Sequence, residues 1–208
     1  MKAKSAVLLF VVCIMTNYVL VLGGEPPRRN ATKVKDADKP YSADIWLVSP
    51  DEEPIGDEEV SNAPECDIKG ILGAYDDDLI RVDIILENPV SFDWLTVYAI
   101  LIKYTNQSEC YTYHTDTKEL IYEKLVDGEV VETKTLNELP DTQDKAGVTS
   151  YDGQANRDIY FIISKDHIAG KEGNRYFLTC SFFSGFLDDA GEINIADQTI
   201  TVEMEFEY

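Results

Sequence analysis

Thr199-Ile200-Thr201-Val202-Glu203-Met204-Glu205-Phe206-Glu207 alternates apolar and polar side chains without a break. Successive side chains of an extended strand point to opposite faces. This period of two therefore puts Ile200, Val202, Met204 and Phe206 on a buried face and Thr201, Glu203 and Glu205 on the other. The same period recurs upstream. In Leu79–Glu87, Ile80, Val82, Ile84 and Leu86 share one face while Arg81, Asp83 and Glu87 share the other. Leu120–Val126, then Asp127-Gly128, then Val130–Thr135 reads as a hairpin, because Asp-Gly accepts the positive φ angles of a type I′ turn.

Further strands are expected at Ile68–Ala74, Cys110–Thr115, Asp158–Ser164 and Arg175–Phe183. Leu95–Tyr104 is apolar on both faces, which suits a central strand covered from two sides. Only Ser164–Ala169 suggests a helical turn, and no long stretch carries the 3.6-residue period. Nine or ten short strands at this spacing predict an all-β fold, an antiparallel β-sandwich over residues 65–208. Within it, residues 136–157 are expected to be a long loop rich in Asp, Asn, Gly and Thr, and on position alone a binding loop.

Residues 1–24 precede all this. Lys2 and Lys4 open them, an apolar run from Ala6 to Leu22 follows, and Gly23-Gly24 supplies small residues for cleavage. That order is the layout of a secretory signal peptide, which predicts a secreted or cell-surface protein. The alternative is an uncleaved membrane anchor, although the run falls short of the roughly 20 residues a span needs and Thr16-Asn17-Tyr18 interrupts it. No membrane insertion is expected after cleavage. Residues 25–64 read as a leader: six prolines, a basic patch, and acidic runs at Asp51-Glu52-Glu53 and Asp57-Glu58-Glu59. Asp44–Val48 alone within it resembles a strand that docks on the domain.

The chain carries 18 Lys+Arg against 39 Asp+Glu, a formal charge of −21, which loss of Lys2 and Lys4 takes to −23. Such a field repels nucleic-acid phosphate and anionic membrane surfaces and attracts cations or basic proteins. Nucleic acid is thereby excluded as a partner.

The run from Asp67-Ile68 through Tyr75-Asp76-Asp77-Asp78-Leu79 to Leu95–Tyr104 resembles the opening of extracellular sandwich modules of the DOMON and family-nine carbohydrate-binding type. Tyr111-Thr112-Tyr113-His114-Thr115-Asp116 and Ser164–Gly170 are similar to their later elements. The resemblance implies a β-sandwich that binds sugars or, in some relatives, haem. No methionine lies between Met15 and Met204, so a haem-ligand pair is not evident.

No GxSxG elbow, HExxH helix or phosphate loop is present, and His114 and His167 are the only histidines. The expectation is a non-catalytic binding protein. Flat rings with a polar edge suit sugar faces, which makes Trp94, Tyr111 and Tyr113 candidate stacking residues for a carbohydrate. The alternative is a structural or adhesive protein that contacts other extracellular proteins. Asp76-Asp77-Asp78 is the densest acidic turn and a candidate for a structural calcium ion, although it lacks the alternating spacing of a dedicated calcium loop. No other cofactor is implied.

After cleavage Cys66, Cys110 and Cys180 remain, an odd number that admits one bridge, an intermolecular pair or three buried thiols. If every strand reverses the chain, Cys66 and Cys180 share one end of the sandwich and are the expected disulfide. A parallel crossover would remove that argument.

Overall fold

The alternating segments form strands that collect into two sheets packed face to face. The computed structural model describes residues 25–39, 46–52, 63–92, 96–104, 107–138, 143–168, 171–172, 175–187 and 193–207. The strands are β1 (Arg28–Asn30), β2 (Thr32–Lys33), β3 (Trp46–Val48), β4 (Ile68–Tyr75), β5 (Leu79–Leu86), β6 (Thr96–Lys103), β7 (Gln107–His114) and β8 (Leu120–Val126). They continue with β9 (Glu129–Thr135), β10 (Lys145–Tyr151), β11 (Gln154–Ser164), β12 (Lys171–Glu172), β13 (Arg175–Leu187), β14 (Ile193–Gln198) and β15 (Val202–Glu207). A nine-stranded sheet runs β1-β15-β13-β6-β7-β8-β9, with β12 and β14 also paired to β13. A six-stranded sheet runs β10-β11-β5-β4-β2, with β3 also on β4. The fold is an all-β sandwich with more strands than the nine or ten expected.

Between the sheets, Ile71, Ile84 and Phe161 meet Tyr98, Phe182 and Phe206 in one apolar cluster. Tyr75 of β4 and Phe206 of β15 join the layers with ring centroids 5.8 Å apart. The alternation read at 202–207 is realised: Val202, Met204 and Phe206 are buried there. The 120–135 hairpin closes through Asp127 and Gly128, both at positive φ, as its turn chemistry requires.

Three findings differ from expectation. The stretch expected as a leader supplies β1 parallel to β15 and β2 parallel to β4, so one extended segment ties both sheets and changes sheet at Ala31. The expected long loop at 136–157 instead contains β10 and the start of β11, joined at Asp152-Gly153 with φ angles of 47° and 72°. The Cys66–Cys180 disulfide is not formed; Cys66, Cys110 and Cys180 are all free and buried. The Cys66 Sγ lies 3.5 Å from the carbonyl of Gly185. That carbonyl is five residues beyond Cys180 on β13, about 16 Å along the strand at 3.3 Å per residue. Burial pushes all three thiols up to about 12, which keeps them protonated and poorly nucleophilic. Residues 1–24, expected as signal peptide, lie outside the described residues. Among the described residues no helix is long and apolar enough to cross a membrane.

Candidate functional site

The β4–β5 turn is built by one carboxylate. Asp76 Oδ1 accepts from the backbone N–H groups of Asp78 and Leu79, each at 2.8 Å, and its Oδ2 accepts from Ala37 N–H at 2.7 Å. Burial alone would raise its pKa, but these three donors and Lys165 outweigh it and hold the carboxyl below its ordinary value. The Lys165 ammonium donates to the Asp76 carbonyl and sits over the Tyr75 ring, 4.9 Å from its centroid. The turn therefore gathers residues 36–38 on one side and the 165–167 turn on the other.

A buried carboxylate extends the arrangement. Asp144, just ahead of β10, accepts from Ser164 N–H through Oδ1 and from His167 Nδ1 through Oδ2, both at 2.6 Å. Its side chain is 1% exposed, whereas that of His167 is 49% exposed. Ser164 caps the short 3-10 turn Lys165–His167 by accepting from Asp166 N–H, the single helical turn that the sequence suggested.

Together these elements enclose a cleft of about 530 Å³ lined by Asp36, Asp38, Asp76, Asp78, Asn137, Gln143, Asp144 and Lys145. A neighbouring hollow of about 410 Å³ continues past Asp78 to Lys165 and His167. Asp38 and Lys145, both lining the cleft, form an ion pair. Asn137 is fixed from behind, accepting from Leu120 N–H at 3.1 Å and donating to the Lys118 carbonyl at 2.7 Å. Asp36, like Asp76, is held below its ordinary pKa, chiefly by its hydrogen bond with Lys39. The cleft thus offers ionised acceptors, two amides and one ammonium.

The expected site residues fall elsewhere or are otherwise engaged. Tyr111 and Tyr113 lie on the face of β7 that meets the other sheet; both are buried, and Tyr111 packs against Tyr122 with centroids 5.2 Å apart. Neither ring offers a face to solvent for stacking. Trp94 lies outside the described residues. Of the three turn acids, Asp76 is committed to backbone N–H groups, and Asp77, 86% exposed, faces Lys33 at 3.3 Å. Asp78 lines the cleft. Among the described residues no three His, Cys, Asp or Glu side chains converge as a set of metal ligands. The cleft-lining residues Asn137, Gln143, Asp144 and Lys145 do belong to the 136–157 segment expected to bind. Asp36 and Asp38 were hidden because their stretch read as a leader. A half-buried aromatic pair, Trp46 and Tyr151, meets edge-on at 6.1 Å, and no local sequence pattern links the two.

No protein-family model matches this chain. No curated protein matches it either. Among solved structures it is similar to "a carbohydrate binding module family 9 (CBM9) from Caldicellulosiruptor kristjanssonii in complex with glucose", at 12% identity and a TM-score of 0.44. The alignment covers 85% of this chain and 94% of that one. No residue role is carried across that likeness.

Proposed function

We propose that this β-sandwich is a non-catalytic binding protein of the cell exterior whose ligand is a carbohydrate held in the acidic cleft. The supporting observation is the lining: carboxylates and amides fixed around a volume within the 300–1,000 Å³ range of small-ligand pockets. Sugar hydroxyls donate to ionised carboxylates and accept from amide N–H groups, and charge-assisted bonds of this kind are stronger than neutral ones. Recognition then rests on hydrogen bonding.

A general acid for glycoside cleavage needs a raised pKa, whereas Asp36 and Asp76 are both displaced downward. The test is retention on immobilised polysaccharides of the full chain and of an Asp38→Ala/Asp78→Ala/Gln143→Ala variant, three exposed positions of the lining. Retention that falls at least tenfold in the variant supports the reading. Equal retention, or none on any glycan, defeats it.

A further inference from the structure

Asn30-Ala31-Thr32 has the Asn-x-Thr pattern that accepts an N-linked glycan, and it stands where the chain crosses from one sheet to the other. Asn30 ends β1 and is exposed. It lies opposite Glu205 in parallel register, on the outward face of the nine-stranded sheet, since Met204 and Phe206 on either side of Glu205 belong to the core. Ala31 joins that core, and its N–H donates to the Glu205 carbonyl at 2.9 Å. β1 is also the last strand of its sheet: among the described residues none pairs with its far side.

The Thr32 hydroxyl has no use in the fold. Its Oγ1 is buried without a hydrogen-bond partner among the described residues. A buried hydroxyl left unpaired costs stability, and each such group calls for an explanation. Valine has nearly the same shape without that cost, so packing does not favour threonine here. The acceptor pattern does, because it requires a hydroxyl two residues after the asparagine. The strand partners also arrive late. Thr32 pairs with Ala74 and Asn30 with Glu205, and Arg28 stands 175 positions from its partner Glu203. At the roughly 5–20 residues per second of synthesis, that separation keeps β1 unpaired for about 9–35 s. The acceptor is then free extended chain.

We propose that Asn30 carries an N-linked glycan, attached during export and standing at the open edge of the nine-stranded sheet. This requires the exterior location proposed above but not the sugar cleft. In the transfer, Asn30 Nδ2 attacks C1 of an oligosaccharide carried on a polyprenyl diphosphate. The N–C1 bond forms as the C1–O bond breaks, the diphosphate leaves with that electron pair, and a base on the transferase takes one Nδ2 proton. Bulk on an edge strand hinders the addition of a further strand from another chain.

Translation of the full chain with endoplasmic-reticulum microsomes is the test. Protease protection reads entry, and an endoglycosidase-sensitive mobility step reads the glycan. Every chain carries Asn106→Gln, which removes the second sequence of this kind, Asn106-Gln107-Ser108. The step is expected in the protected parent and in Thr32→Ser, and its loss in Asn30→Gln and in Thr32→Val. A protected parent without the step, or a step that survives Asn30→Gln, overturns the proposal. A chain that is never protected overturns it together with the exterior location. Urea melts of unglycosylated protein separate the acceptor role from a structural one, because Thr32→Val should match or exceed the parent midpoint. A lower midpoint would mean that the folded chain uses the hydroxyl, and counts against the proposal.

Discussion

Glu123 is the most informative single side chain to change. It sits on the outward face of β8, opposite Cys110 of β7 and Thr133 of β9. Oε1 accepts from the Thr133 hydroxyl at 3.5 Å, and Oε2 has no partner among the described residues. Burial pushes its carboxyl up from the ordinary 4.5 to about 7, with the Thr133 bond opposing only in part. Below pH 4.5 the folded and unfolded states are both protonated and the group costs nothing. Between 4.5 and about 7 the unfolded chain releases a proton that the folded chain retains, so stability falls as pH rises. Above 7 the cost is complete, about 3 kcal/mol from a gap of this size at 1.36 kcal/mol per pH unit. Glu123→Gln should therefore leave stability at pH 4 nearly unchanged and raise it at pH 8 by up to about 3 kcal/mol. Urea melts of parent and variant at pH 4, 6 and 8 measure this, and the difference between them cancels the other carboxylates. A difference that is flat with pH, or that grows toward acid, would refute the reasoning and would mean that Glu123 is hydrated.

Three further outcomes are expected. On the outward face of the six-stranded sheet, the Arg81 guanidinium binds Asp83 through Nε at 2.8 Å and Nη2 at 2.6 Å, and Asp158 lies at 3.6 Å. Burial and the Asp83 charge hold Asp158 well above the carboxylate range, so Asp158→Asn should change stability at pH 7 by less than about 1 kcal/mol and Asp83→Asn should cost about 3 kcal/mol; equal losses in urea melts would contradict this. Gly73→Ala would put its Cβ 2.5 Å from Leu47 Cδ1 in the closed core, an overpacking cost of about 2 kcal/mol in the same assay; an unchanged midpoint would show that Leu47 moves freely. Melting with calcium and with a chelator should give the same midpoint, because the Asp76 carboxylate already accepts three N–H donors. A calcium-dependent rise would restore the metal reading of Asp76-Asp77-Asp78.

The strands were legible wherever polar and apolar residues alternated, as at 79–87 and 199–207, and the Asp127-Gly128 turn gave its hairpin outright. Asp152-Gly153 carries the same signal, but 145–151 and 154–157 are too polar to read as strands. β1 and β2 are short and sit among prolines, and their pairing depends on β15 and β4, more than 40 residues away. The site was less legible for a different reason. Alternation separates the two faces of a strand but does not say which one meets water, and in β7 neither does. Tyr111 and Tyr113 point to the core, while Cys110, Thr112 and His114 are buried on the other face. The cleft is assembled from residues 36–38, 76–78, 137 and 143–145, and no local pattern unites them.

The function proposed for this β-sandwich is to hold sugar without cutting it. Incubating the full chain with a soluble polysaccharide, while following its binding by calorimetry and new reducing ends by colour assay, tests both halves together. Saturable heat with no new reducing ends is the predicted result. Released ends that scale with protein, or no heat with any polysaccharide, would contradict it.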